Sequence, residues 1–96
     1  MQPLVLEFLD SLQTKKYSSN SVQSHRLDLL KLLKWLEIDE ENLDSNKLLT
    51  AIRKLGPDEI ENYLSYLRES YKPRTLSRHI SSLRLFLDYL ELKGLI

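Results

Sequence analysis

The segment KPRTLSRHISSLRLFLDYL, from Lys72 to Leu90, decides the fold because its apolar residues recur at every third or fourth position. At about 100° per residue, that spacing builds one apolar stripe along a helix. We expect the stripe to form the core face, and its members are Leu76, Ile80, Leu83, Leu87 and Leu90. Arg74, Arg78 and Ser81 then point away from the core.

Helical spacing also dominates the rest of the chain, and no stretch alternates with period two for long enough to predict a strand. A first helix is expected from about Pro3 to Thr14. Ser18 is the best N-cap candidate for a second helix that reaches about Glu37.

Two further prolines and a glycine mark the second half of the chain. Pro57, followed by two acidic residues, suits the start of one helix, and Pro73 suits the start of the last. Gly94 is placed to end that last helix. Between Glu37 and Pro57, the acidic connection is expected to hold one short helix from about Lys47 to Lys54.

The predicted class is all-α, with four main helices in two hairpins and one additional short helix. The chain has 96 residues, of which 42% are hydrophobic, and this length suits one modest core. We therefore expect residues 1–96 to form a single domain.

The charge distribution is polarised although the chain has 14 basic and 14 acidic residues. Residues 15–34 carry five cations and one anion, and residues 72–84 carry four cations and no anion. Residues 37–47 carry five anions and one cation. If the two basic segments lay side by side, they would suit a phosphate backbone, whereas an ordinary solvated surface is the alternative.

A weak internal repeat relates the two basic segments. SVQSHRLDLLKLLKWL, from Ser21, aligns without gaps on TLSRHISSLRLFLDYL, from Thr75. His25 then meets His79, and Trp35 meets Tyr89. Chance matching of two leucine-rich helices explains the alignment equally well, but both helices still begin beside basic residues.

Several classes of site find no support in the sequence. There is no cysteine for a disulfide or a thiolate metal site, which suits a cytoplasmic protein. The N-terminal MQPLVLEFLDSL predicts an amphipathic helix, neither a signal peptide nor a membrane span. The isolated glycines form no phosphate loop, and the two histidines lack metal-ligand spacing. We expect no metal, no cofactor and no membrane partner.

The chain from about Val5 to Ile96 resembles the N-terminal core-binding (SAM-like) domain of tyrosine recombinases, the phage integrase group. The resemblance rests on SSNSVQSHRLDLLKLLKWL, GPDEIENYLSYLRES and KPRTLSRHISSLRLFLDYLELKGLI. Within the last segment, a Thr-x-x-Arg-x-x-Ser-x-x-Arg pattern runs from Thr75 to Arg84. His25 departs from the family, which more often has tyrosine at that position.

The resemblance implies a domain that forms half of a clamp around duplex DNA, with two helices at the major groove. The residues expected to contact DNA are the cations and hydroxyl or amide residues near the starts of these helices. They are Lys15, Lys16, Ser18, Asn20, Ser21, Ser24, Arg26, Lys31, Lys72, Arg74, Thr75, Arg78, Ser81 and Arg84. Implied partners are double-stranded DNA, the catalytic domain of the parent protein and other recombinase protomers.

Catalysis is not expected from this chain. The family's catalytic domain uses an Arg, a His-x-x-Arg pair and a nucleophilic tyrosine. Here His25 is followed three positions later by Asp28, and His79 by Ser82. We expect Tyr63, Tyr66 and Tyr89, which lie in leucine-rich segments, to be packing residues.

A second apolar stripe leaves another function open. Leu85, Tyr89 and Leu92 lie opposite the expected core face in the C-terminal half of the last helix. The first helix could cover this stripe, or a neighbouring protomer could. If the basic segments are merely solvated, the stripe indicates a helical protein-interaction module.

Overall fold

The computed structural model describes all 96 residues and contains five α-helices and no strand. The helices are α1 (Pro3–Thr14), α2 (Ser19–Trp35), α3 (Ser45–Arg53), α4 (Pro57–Ser70) and α5 (Pro73–Leu92). The chain divides into two compact units, Met1–Leu48 and Leu49–Ile96. One helical hairpin lies in each unit, α1–α2 in the first and α4–α5 in the second. The predicted all-α class is confirmed, as are the two hairpins and the additional short helix.

The starts of the main helices agree with the sequence prediction. Pro3, Pro57 and Pro73 each stand at the first helical position. Ser18 is the N-cap of α2, and its hydroxyl oxygen accepts a hydrogen bond of 3.1 Å from the Ser21 N–H. Because proline lacks the N–H that a first turn leaves unpaired, and serine satisfies another, these residues fix where each helix begins.

Three helices end in the same Schellman motif, which uses two backbone hydrogen bonds and one residue of positive φ. At the end of α5 the positive-φ residue is Gly94, as predicted, with φ 71°. The Gly94 N–H donates to the Glu91 carbonyl, and the Leu95 N–H donates to the Leu90 carbonyl, both at 2.9 Å.

The helices α1 and α2 end in the same way without a glycine. Lys16, with φ 67°, and Glu37, with φ 60°, occupy the positive-φ position. The Ile38 N–H donates to the Leu33 carbonyl at 2.9 Å, which closes the end of α2. The predicted end of α2 near Glu37 is therefore two residues too long, because Glu37 already lies in the left-handed turn.

The acidic connection before α3 is ordered by side-chain caps. The Asp44 carboxylate accepts hydrogen bonds from the Asn46 and Lys47 N–H groups, at 3.0 and 3.3 Å. This cap makes α3 begin at Ser45, two residues before the predicted start.

In the first unit, α1 and α2 pack against each other and bury mainly aliphatic residues. The buried side chains of α1 are Leu4, Val5, Phe8, Leu9 and Leu12, and the buried apolar ones of α2 are Val22, Leu29, Leu32 and Leu33. Gln2 fixes the start of α1 because its side-chain oxygen accepts from the Leu4 N–H at 2.6 Å, and its amide nitrogen donates to Ser45 at 3.3 Å.

In the second unit, the buried face of α5 is rotated by about 60° from the predicted stripe. Leu83 and Leu90 are buried as predicted, but Leu76, Ile80 and Leu87 are only half-buried. The other buried residues are His79, Ser82 and Phe86. Phe86 carries the largest side chain of this set and is 1% exposed. Its burial therefore determines which face of α5 is turned toward the core.

Candidate nucleic-acid interface

The start of α2 is preceded by two exposed lysines. Lys15 caps the C-terminus of α1, and Lys16 takes the positive-φ position of the turn. Ser18 follows as the N-cap, and its hydroxyl donates to the hydroxyl of Ser21 at 3.0 Å. The hydroxyl groups of Ser18 and Ser21 therefore serve the local cap, while the two lysines face solvent.

Three predicted residues share one face of α2. Asn20, Ser24 and Lys31 fall within about 40° of one another around the helix and lie nearly opposite Leu29. Asn20 is exposed, and Ser24 and Lys31 are half-buried. Arg26 lies about 140° from Lys31, so the structure does not bring it onto this face.

The start of α5 carries a more compact cationic face. Arg74, Arg78 and Ser81 lie within about 60° of one another, and all three are exposed, as the sequence predicted. Lys72 is the exposed N-cap residue, and Thr75 is half-buried beside Arg78 on the helix. Three of the predicted residues therefore share one exposed face of α5, and Lys72 and Thr75 flank it.

Arg84 lies apart from that face, on a groove of the second unit. The groove has a volume of about 390 Å³ and is lined by side chains of α4 and α5: Ile60, Ile80, Leu83, Arg84, Leu87, Asp88 and Glu91. Arg84 is about 120° from Arg78 around α5, and Asp88 and Glu91 line the same groove. Its local charge environment differs from that of Arg74 and Arg78.

Helix ends in this chain do not share the same electrostatic arrangement. The first turn of α4 has Asp58 and Glu59, and the Glu59 carboxylate accepts from the Gly56 N–H at 3.0 Å. The first turns of α2 and α5 contain no acidic residue. Carboxylates near a helix N-terminus are stabilising and cations there are not, typically by 0.3–1 kcal/mol each. Arg74 in the first turn of α5 therefore opposes folding and favours anion binding, whereas Lys15 and Lys16 adjoin the C-terminus of α1, where cations are stabilising.

A tyrosine–histidine ring contact accompanies each of these helix starts. The rings of Tyr17 and His25 are 6.1 Å apart with an interplanar angle of 66°. The rings of Tyr71 and His79 are 4.8 Å apart with an angle of 30°. The sequence prediction missed the tyrosines, although both pairs are eight residues apart and the internal repeat extends back to include them.

The second apolar stripe is partly covered. Leu85 and Tyr89 are half-buried, whereas Leu92 is 82% exposed. The Lys93 ammonium lies 5.7 Å from the centre of the Tyr89 ring. The proposal that the first helix covers this stripe stays a prediction.

Other types of site are not apparent. The structure contains no cluster of three or more histidine, cysteine, aspartate or glutamate residues that could hold a metal ion. None of the five helices is long and apolar enough to cross a membrane.

Comparisons with known proteins agree on one family. The profile of the family described as "Phage integrase, N-terminal SAM-like domain" matches residues 5–94. The chain is 34% identical over 91 residues to tyrosine recombinase XerD of Vibrio cholerae, covering 94% of this chain and 28% of the relative. A tyrosine recombinase of Thermosipho africanus is 29% identical over 97 residues, covering 100% of this chain and 32% of the relative.

A third relative gives the same proportions. XerD of Pseudomonas putida is 34% identical over 96 residues, covering 98% of this chain and 29% of the relative. The chain thus spans less than a third of the length of each of these recombinases. No solved structure matches the chain at a significant level.

Proposed function

The chain belongs to the phage integrase N-terminal SAM-like family, and on this premise we propose that it binds duplex DNA at a recombination site through the basic starts of α2 and α5. The domain of this family is not the catalytic domain of tyrosine recombinases. In this proposal the chain is half of a clamp that holds DNA for strand exchange performed elsewhere in a longer parent protein.

The observation that carries the proposal is the cluster of exposed cations at the start of α5, a place where carboxylates would stabilise the fold. Arg74 lies in the first turn of α5, two residues after the N-cap Lys72, and this turn contains no acidic residue. By contrast, the first turn of α4 in the same chain carries two acidic residues. An exposed arginine at the positive end of the α5 dipole lowers stability locally, and an anionic partner would offset that cost.

We assign different roles to the cations and to the neutral polar residues. Lys15, Lys16, Lys72, Arg74 and Arg78 would neutralise phosphates and position the domain on the duplex. The exposed or half-buried Asn20, Ser24 and Ser81 would reach base edges or further phosphates. Arg26 and Arg84 lie off these faces and would add to the positive electrostatic potential without contacting the DNA directly.

The proposed setting follows from the relatives, which are about three times as long as this chain. Double-stranded DNA is the principal partner. The catalytic domain of the parent protein and neighbouring recombinase protomers are the protein partners, and the compartment is the cytoplasm.

A protein-interaction module is the second candidate, and the exposure of Leu92 favours it. An 82% exposed leucine that continues the line of Leu85 and Tyr89 extends an apolar stripe into solvent. In this alternative the stripe contacts another protein and the cations serve only solubility.

A titration of ¹⁵N-labelled protein with a duplex of about 30 base pairs separates the two candidates. DNA binding should shift the amide signals of Asn20, Ser24, Arg74 and Arg78, while the start of α4 at Asp58 stays unchanged. Shifts near Leu92 that depend on protein concentration, without any response to DNA, would instead support the interaction module.

A further inference from the structure

We propose that His25 and His79 are positioning residues. Each holds the tyrosine that precedes a DNA-contacting helix, and this contact fixes the orientation of the cations at the start of that helix. The inference rests on the proposed function and adds to it two buried residues that are not expected to touch DNA themselves. His25 is 8% exposed and His79 is 5% exposed, so neither presents its ring to a large ligand.

The tyrosine is anchored on both sides in each hairpin. The Tyr17 N–H donates to the Leu12 carbonyl at 3.1 Å, at the end of α1. The Tyr71 N–H donates to the Leu67 carbonyl at 2.9 Å, at the end of α4. The backbone of the tyrosine thus belongs to the preceding helix, while its ring contacts a histidine two turns inside the following helix.

These contacts restrict the motion of the turn that carries the cations. Lys16 and Ser18 flank Tyr17, and Lys72 directly follows Tyr71. With both neighbouring helices attached to the same tyrosine, the turn has few ways to rotate. DNA binding then loses less conformational entropy than it would with a mobile turn, so the phosphate contacts are made at higher affinity.

A tyrosine–histidine contact occurs once in each hairpin, edge-on for Tyr17 and His25 and tilted for Tyr71 and His79. Each tyrosine comes immediately before the N-cap residue, and each histidine follows that tyrosine by eight positions. The Tyr63–Tyr66 pair, at 6.3 Å and 26°, is also an aromatic contact but lies within α4 alone. It bridges no turn and therefore serves as the matched control.

The test uses His79→Leu, Tyr71→Leu and the conservative His79→Phe, with Tyr66→Leu as control. Affinity for a labelled duplex is measured at several salt concentrations and corrected for the folded fraction. We expect His79→Leu and Tyr71→Leu to lose about three- to tenfold in affinity with an unchanged salt slope, because the phosphate contacts remain and only their preorganisation is lost. His79→Phe should recover the affinity, and Tyr66→Leu should retain it.

Tyr71 is half-buried, so its leucine variant keeps the test valid if His79→Leu does not fold. Affinity equal to that of the original chain, once the folded fraction is taken into account, would overturn the inference. A structural readout is independent of DNA: hydrogen exchange of the Leu76 amide, which donates to the Lys72 carbonyl at 2.9 Å, should accelerate in Tyr71→Leu.

That readout separates the inference from the proposed function. If the original chain binds no DNA, the proposed function fails. Faster exchange at Leu76 would then still support the fixing of the turn, and unchanged exchange would refute it.

Discussion

Replacing Arg74 by alanine should weaken DNA binding and stabilise the fold at the same time. Arg74 is exposed in the first turn of α5, where its charge meets the positive end of the helix dipole. Removing it should raise the free energy of unfolding by about 0.3–1 kcal/mol at low salt. Loss of one phosphate contact should flatten the slope of log affinity against log salt by about 0.9, which corresponds to about eightfold in affinity at 0.1 M salt.

Arg84→Ala is the matched control because it removes the same charge from the same helix. Arg84 faces the groove with Asp88, one turn further along α5. Its loss should cost about 0.2–0.5 kcal/mol of favourable side-chain interaction, and it should leave the salt slope unchanged. Arg74→Ala should therefore raise the stability and weaken DNA binding, whereas Arg84→Ala should lower the stability and leave the salt slope of DNA binding unchanged.

Fluorescence anisotropy with a labelled duplex measures the affinity, and urea unfolding measures the stability. Equal DNA affinity for the two variants would refute the assignment of Arg74 to the DNA face. A loss of stability in Arg74→Ala would refute the electrostatic argument for the helix start.

Three further predictions concern packing, backbone conformation and the exposed stripe. Phe86→Ala should lose about 3–5 kcal/mol of unfolding free energy in urea, whereas half-buried Leu87→Ala should lose clearly less; the reverse order would restore the original stripe as the core. Glu37→Gly should raise the free energy of unfolding in urea by about 1 kcal/mol because glycine tolerates φ 60°. Glu37→Ala removes the same charge but should raise it less, and an equal increase in both variants would mean that only the charge matters. Leu92→Glu should leave DNA affinity within about twofold and abolish any self-association seen by sedimentation, since Leu92 is 82% exposed; a large loss of DNA affinity would contradict this separation of surfaces.

Helix starts could be predicted from the sequence because their determinants are local. Pro57 and Pro73 fix φ at a first turn, and Ser18 caps the next helix with its own side chain. The end of α2 could not be located to the residue because its left-handed turn uses Glu37, which has no intrinsic preference for positive φ. There the surrounding hydrogen bonds impose the conformation.

The core face of α5 could be predicted only approximately because the spacing of leucines in one helix does not reveal what the partner helix offers. Small Ser82 and aromatic Phe86 are buried, while Leu76 and Leu87 stand at the margin. The predicted exposure of Arg74 and Arg78 was still correct, because both residues lie far around the helix from the predicted stripe and from the observed buried face of α5. The predicted DNA contacts themselves stay predictions.

The most direct test of the central claim is the salt dependence of duplex binding by the unmodified 96-residue chain. Anisotropy is measured between about 20 and 200 mM salt, with random duplexes and with duplexes bearing recombination sites of the parent element. If about four phosphates are neutralised by the two basic helix starts, log affinity should fall against log salt with a slope near −3.6. No binding to any duplex at the lowest salt, or binding that does not change with salt, would contradict the account.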